Sequence, residues 1–188
     1  MEIEKIKNDV KNMLSKERYT HTLGVEKRAL ELAKIYEVNE EAAQIAAILH
    51  DMAKELTKQE KLNYAKENQL EVDEIEKSSP GLLHGKIAAD MAKKKYHIAE
   101  EIQSAITYHT TGKQNMSMLD KIIFVSDSTE ENREYADLEE IRELSEKNLN
   151  EAIITIINFN IQENIEKGKL LHPNSILARN QLLIEKMK

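Results

Sequence analysis

Cysteine is absent from the 188 residues, proline occurs twice and glycine five times. Without cysteine there is no disulfide, no thiolate metal site and no cysteine nucleophile. So few prolines and glycines leave too few turn formers for a many-stranded sandwich or barrel. Long apolar runs are missing as well. The longest is five residues, Ile45 to Leu49, far short of the roughly 20 that cross a bilayer. Met1-Glu2-Ile3-Glu4-Lys5 lacks the apolar stretch of a secretory signal, so the cytoplasm is the expected compartment, with no membrane partner. Positive charge is in deficit, with 27 Lys+Arg against 34 Asp+Glu and a net charge of −7. That balance disfavours broad nucleic-acid binding, which needs a basic face. An anionic small molecule stays admissible if a metal or a few placed Lys and Arg supply a local cation. What the chain does have, 40% apolar and 32% charged residues, is the composition of a globular protein. One domain, 1–188, is the expectation at this length.

Helical periodicity fills nearly every segment. Ile3, Ile6, Val10, Met13 and Leu14 fall on one face of an amphipathic first helix. Thr20 reads as the N-cap of a second helix to about position 36, with Leu23, Leu30, Ala33 and Tyr36 facing inward. Asn39 caps a third, 40 to about 55, whose Ala42, Ala43 and Ala46 suit a central helix that neighbours approach closely. Thr57 with Glu60 three residues on forms a capping box for a fourth. Ser78-Ser79-Pro80-Gly81 breaks the chain, and 83–95 and 99–109 then read as two helices. After Thr110-Thr111-Gly112, the apolar run from 118 to 126 reads as a buried helix. Asn148 opens a long helix that Lys167-Gly168 ends, and His172-Pro173-Asn174-Ser175 introduces the last one. The expected fold is an all-α bundle.

Chemistry concentrates at a few of the six histidines. His50-Asp51 follows the apolar run Ala46-Ala47-Ile48-Leu49, and a His-Asp pair at a helix end either ligates an ion or merely bonds to backbone and neutralises the terminus. His21, His84, His109 and Asp127 add further imidazoles and a carboxylate, mostly at expected element ends. Imidazole with carboxylate suits iron, manganese or zinc and disfavours calcium. These residues lie far apart in sequence, so only a folded bundle brings them together, and bundle interiors do host such sites. No Walker-type glycine loop is present, which leaves kinase and P-loop ATPase readings unsupported.

The ordered set His21, His50-Asp51, Asp127 resembles the His…His-Asp…Asp signature of the HD-domain metal-dependent phosphohydrolases. Within them, Arg18-Tyr19-Thr20-His21-Thr22-Leu23-Gly24-Val25, Leu49-His50-Asp51-Met52-Ala53-Lys54, Leu82-Leu83-His84-Gly85, His109-Thr110-Thr111-Gly112 and Leu119-Asp120-Lys121-Ile122 are similar to the YqeK family, which contains bacterial symmetrical dinucleoside-tetraphosphatases. The resemblance runs through nearly the whole chain. It implies an HD-type helical bundle with a metal site in its interior, ligated by His21, His50, Asp51 and Asp127. Iron is the favoured ion, manganese is admitted, and the count is one or two. It implies nucleotide phosphates near His84, His109, Thr110 and Arg133, although His84 and His109 could instead complete a second metal site. Catalytic roles fall to Asp51, Lys54, His84 and His109. Lys54 lies on the helix face of His50 and Asp51, where the alternative is an ion pair with Asp51. His172 and Asn174 either line the nucleotide or form a capping loop.

The implied reaction is hydrolysis of diadenosine tetraphosphate between its two central phosphates to give two ADP. Coordination lowers the pKa of water from 15.7 toward ~7, and the cations offset charge on the phosphoryl oxygens. A nucleotidase or other phosphomonoesterase on the same scaffold, and a non-catalytic nucleotide sensor, are the alternatives. A homodimer is compatible with the resemblance. One departure stands out: the family usually carries Ile-Glu-Pro-x-Arg, whereas here Glu131 replaces the proline in Glu130-Glu131-Asn132-Arg133. Arg133 is thus either a phosphate clamp or the partner of Glu130 or Glu131 on a solvated loop.

Overall fold

Eleven α-helices and one short 3-10 turn make up the described residues, 3–135 and 137–188, of a computed structural model; no strand occurs among them. In order these are α1 (Ile3–Met13), α2 (Lys16–Ile35), α3 (Glu40–Leu49), α4 (Lys58–Glu67), α5 (Glu74–Ser78), the 3-10 turn Pro80–Leu83, α6 (His84–Tyr96), α7 (Glu100–Tyr108), α8 (Met118–Thr129), α9 (Leu138–Lys147), α10 (Leu149–Glu166) and α11 (Pro173–Lys186). None is long and apolar enough to cross a membrane.

Capping chemistry explains most of the boundaries. The Asn39 side chain accepts from Ala42 N to open α3, and Thr57 with Glu60 closes the expected capping box at α4. Ser117 with Asp120 does the same for α8, and Asn148 caps α10. The start of α2 differs from expectation. Ser15, not Thr20, is the N-cap, its side chain accepting from Arg18 N at 3.2 Å. Thr20 lies inside the helix and donates to Lys16 O. His21 therefore sits in the second turn of α2 rather than at its tip, and Leu23 faces outward at 39% exposure.

The third helix also stops earlier than its apolar pattern implies. The His50 ring donates from Nδ1 to Ala47 O at 2.6 Å. That carbonyl is the acceptor that Asp51 N–H would need to continue the helix. Residues 51–55 accordingly run as turns, with Lys54 N donating to Asp51 O. Two elements, α5 and α9, escaped the periodicity reading. The first is five residues long, and the second is docked by polar contacts, Arg28 Nη2 donating to Arg142 O and Ser145 Oγ.

One continuous hydrophobic core extends from Ile6 to Leu182. At its centre the alanine-rich α3 packs against α2, α7 and α8, while α6 lies along α7. The α6–α7 approach depends on Gly85, next to His84, because a Cβ there would lie 2.7 Å from Thr107 O and 2.9 Å from Ile106 O. Both are backbone atoms that cannot swing aside. Gly85→Ala is expected to cost about 1–3 kcal/mol by overpacking, lowering Tm by roughly 2–10 °C in a thermal melt. An unchanged Tm would show that α6 and α7 have room to separate.

Candidate metal centre

Five helices deliver six side chains to one buried point. His21 comes from α2, His50 and Asp51 from the end of α3, His84 from the first position of α6, His109 from the end of α7, and Asp127 from the last turn of α8. The same local device orients three of the rings. Nδ1 of His50, His84 and His109 each donates to the carbonyl three residues back, Ala47, Gly81 and Ile106, at 2.6–2.7 Å. A carbonyl only accepts, so Nδ1 carries the proton and Nε2 keeps its lone pair. His21 reaches the same state differently, its Nδ1 lying 3.1 Å from Glu130 Oε1.

The freed Nε2 atoms converge on two carboxylates. Asp127 Oδ1 lies 3.0 Å from His21 Nε2 and 4.0 Å from His50 Nε2. Asp51 Oδ2 lies 3.5 Å from His50 Nε2 and 3.8 Å from His21 Nε2. The other oxygen, Asp51 Oδ1, faces the second pair, 3.1 Å from His84 Nε2 and 3.6 Å from His109 Nε2. Lys54 Nζ lies 3.5 Å from that oxygen and 3.1 Å from His84 Nε2.

The donor set fits a cation. His21 Nε2, His50 Nε2 and Asp51 Oδ1 are buried without a hydrogen-bond partner, a costly state for polar atoms unless an ion takes up the lone pairs. His21, His50 and Asp127 offer ligand atoms within 4.8 Å of one another, as do His50, Asp51 and His109. Burial alone would raise the Asp51 carboxyl, but the facing His50, His109 and His84 rings hold it well below the usual carboxylate range. Burial at Asp127 is likewise overcome, by His21 first and then by His50, His109 and Arg133. Both aspartates are therefore anions in the folded chain at neutral pH, as ligation requires. Nitrogen and oxygen donors together suit a first-row transition ion.

Residues 18–132 match the HD domain family. A "Bis(5'-nucleosyl)-tetraphosphatase, symmetrical" of Halalkalibacterium halodurans is 37% identical over 177 residues, 94% of each chain. Its namesake in Bacillus subtilis is 34% identical over 175 residues, 93% of this chain and 94% of that one. This chain belongs to the YqeK family of HD-domain phosphohydrolases. The same fold is seen in the crystal structure of a "predicted HD superfamily hydrolase involved in NAD metabolism" from Clostridium acetobutylicum, with a TM-score of 0.95, 36% identity and 98% of both chains covered.

Against that YqeK framework the remaining expected site residues fall into place unevenly. Lys54 makes the ion pair with Asp51. Thr110 Oγ1 stands 3.3 Å from His84 Nε2. Arg133 pairs with neither Glu130 nor Glu131: Nη2 donates to Asp127 Oδ1 at 2.7 Å and Nε to Asp127 O at 2.9 Å. Glu131, in the usual proline position, is taken by Lys27 at 2.5 Å. His172 caps α11, its Nδ1 accepting from Asn174 N, and lies on the wall of a cavity of about 760 Å³. Asn174 is not on that wall. The Asp73–Glu76–His172 cluster is no second metal site, because His172 Nδ1 already accepts a proton, which leaves Nε2 as an N–H facing Asp73 Oδ2, and Lys86 holds Glu76.

Two groups in contact with the centre escaped the sequence reading. Arg18 Nη1 reaches Asp51 Oδ2 at 3.0 Å. Glu130, buried, binds the His21 ring with Oε1 and accepts from Asn132 N and Nδ2 with Oε2. A Cβ on Gly24 would lie 2.2 Å from that Oε2. The mid-helix glycine one turn beyond His21, like the glutamate one turn beyond Asp127, was the available signal.

Burial pushes the His84 imidazole down to about 4, with His109 and Lys54 adding to the depression against the pull of Asp51. The unfolded chain, with His near 6.5, then binds more protons between those values, so stability falls as pH drops through that window. The expected loss in metal-free protein is at most about 3 kcal/mol by pH 4. The lowered aspartates lose their contribution mainly below that window. Urea unfolding at pH 6.5 and 4.5 should show a smaller loss in His84→Gln than in the wild type; equal losses would contradict a buried neutral His84.

Proposed function

We propose that this protein hydrolyses diadenosine tetraphosphate symmetrically to two ADP, at a transition-metal centre held by His21, His50, Asp51 and Asp127, with iron the favoured ion. His84 and His109 belong to the same centre through Asp51 Oδ1, as ligands to a second ion. The observation that supports this most is the convergence of four Nε2 lone pairs on two anionic carboxylates, with three of the donor atoms otherwise partnerless, in a chain whose relatives carry the symmetrical tetraphosphatase name over 93–94% of its length. His84 and His109 make poor phosphate donors. Their Nδ1 protons are committed to carbonyls, and their Nε2 atoms stand only 2.9 Å apart.

When bound, such an ion supplies Lewis acidity toward phosphoryl oxygens and hydroxide at neutral pH. The chain supplies the rest. Arg18 and Arg133 donate to the same carboxylate oxygens that face the His21 and His50 rings, Asp51 Oδ2 and Asp127 Oδ1. A phosphate oxygen arriving there can accept their guanidinium protons instead in charge-assisted pairs. Lys54 and Thr110 stand on the His84 side, within reach of an oxygen there. Water adds to an inner phosphorus and the bridging P–O bond between the central phosphates breaks, leaving two ADP. We read the chain as one domain, 1–188, on the evidence of its continuous core, with the cytoplasm as its compartment and a homodimer as a compatible assembly.

Chromatography of the products tests this reading. Metal-loaded protein should convert diadenosine tetraphosphate to ADP alone. An equimolar mixture of ATP and AMP would overturn the symmetrical assignment, and activity confined to AMP would favour a phosphomonoesterase.

A further inference from the structure

Two cavities lie beside the centre, and their walls differ in chemistry. The larger, about 760 Å³, comes up beside the centre at Thr110, whose hydroxyl stands 3.3 Å from His84 Nε2. Gly81, whose carbonyl holds the His84 ring, also lines this cavity. Leu82, Phe124, Ile157, Ile161, Leu170 and Leu171 give it a carbon-rich wall, and Asn160 and Asn164 add amides. The other, a cleft of about 590 Å³, includes His21 itself. Every residue lining that cleft is polar or charged, and its cations are Lys16, Arg18 and Arg133.

A purine nucleoside needs flat or aliphatic surface against its ring faces and a few polar groups at its edge. The large cavity offers both, at a size within the roughly 300–1,000 Å³ usual for small-molecule pockets. The cleft offers no aliphatic residue, and its one ring, His21, belongs to the centre. What it offers beside the centre is two guanidiniums, Arg18 and Arg133, suited to phosphate oxygens. Its lining carries equal numbers of Lys/Arg and Glu side chains, Lys16, Arg18 and Arg133 against Glu17, Glu55 and Glu130.

From this contrast, and resting on the symmetrical tetraphosphatase reading above, we infer that the two halves of the substrate are recognised unequally. One nucleoside is enclosed in the apolar cavity. The other half is held in the polar cleft through its phosphates, and its nucleoside is dispensable. The second activity that follows is on nucleoside 5'-tetraphosphates, which keep one nucleoside and all four phosphates. Adenosine 5'-tetraphosphate and water give ADP and pyrophosphate: the bond between the second and third phosphates breaks, the water oxygen completes one fragment, and a proton goes to the departing oxygen of the other. By the same logic a mixed dinucleoside tetraphosphate with one adenosine is cleaved whatever its second base.

The test compares kcat/KM for diadenosine tetraphosphate, adenosine 5'-tetraphosphate and inorganic tetraphosphate on the same metal-loaded protein, with ADP and pyrophosphate counted. The first two are expected to agree within about tenfold, and inorganic tetraphosphate, lacking the anchoring nucleoside, to be at least about a hundredfold poorer. Each threshold follows from losing no base contact in the first comparison and a whole buried one in the second. A fall of more than tenfold for adenosine 5'-tetraphosphate, with normal turnover of the dinucleotide, would overturn the inference by showing that the cleft grips the second base. Equal turnover of inorganic tetraphosphate would overturn it by showing that neither base is held. Failure on the dinucleotide itself would sink the underlying reading instead. Ile161→Glu, placing a charge on the cavity wall, should raise KM about equally for both nucleotides in protein that still folds by circular dichroism. A rise for the dinucleotide alone would also overturn the inference.

Discussion

The bond from a histidine Nδ1 to the carbonyl three residues behind it is the interaction on which the centre depends. It occurs at His50, His84 and His109, and it does two things at once. It fixes the proton on Nδ1 and so aims a bare Nε2 lone pair inward. At His50 and His109 it also takes up a helix-terminal carbonyl, so that α3 and α7 end where the two rings turn into the centre. Chain direction and ligand tautomer are settled by one contact. The fourth ring, His21, lies mid-helix, where backbone carbonyls are already committed, and it takes a side-chain carboxylate instead.

That exception accounts for a small cluster of unusual residues. Glu130 is a buried acid, and burying an isolated carboxylate is costly. Here its oxygens are engaged by the His21 ring and by the backbone and side chain of Asn132. The space it fills exists because position 24 has no Cβ. A glycine inside a 20-residue helix sacrifices about 1 kcal/mol of helix propensity relative to alanine, and the carboxylate–imidazole contact is what that sacrifice permits. Such carboxylate–histidine pairs make a ligand more basic and hold its ring in place. Arg18 and Arg133 complete the electrostatics, one on Asp51 Oδ2 and the other on Asp127 Oδ1.

The helical class and most helix starts were legible because capping residues act locally: Asn39, Thr57 and Asn148 cap the helices that follow them, whatever the tertiary fold. The types and order of the six centre residues were legible through the motif resemblance. Less was visible where a side chain competes with backbone or where contact is long-range. Ser15 and Thr20 are both N-cap types, and only the first is placed to accept from the opening turn. The early end of α3 depends on a ring-to-carbonyl bond that apolar periodicity does not register. Partner choice at Glu130 depends on α2 and α8 lying side by side, and Arg133 turns back onto the last turn of α8, whereas sequence neighbours pointed to pairing within the loop.

Metal content per chain, measured on protein purified in parallel as wild type, His50→Ala and Glu130→Ala, tests the convergence of these side chains on an ion most directly. Wild type should retain a transition metal, His50→Ala should lose most of it, and Glu130→Ala should bind it about 10–100-fold more weakly in competition with a chelator, with both variants still folded by circular dichroism. Full occupancy in His50→Ala, or wild-type affinity in Glu130→Ala, would contradict the ligand geometry described for this centre.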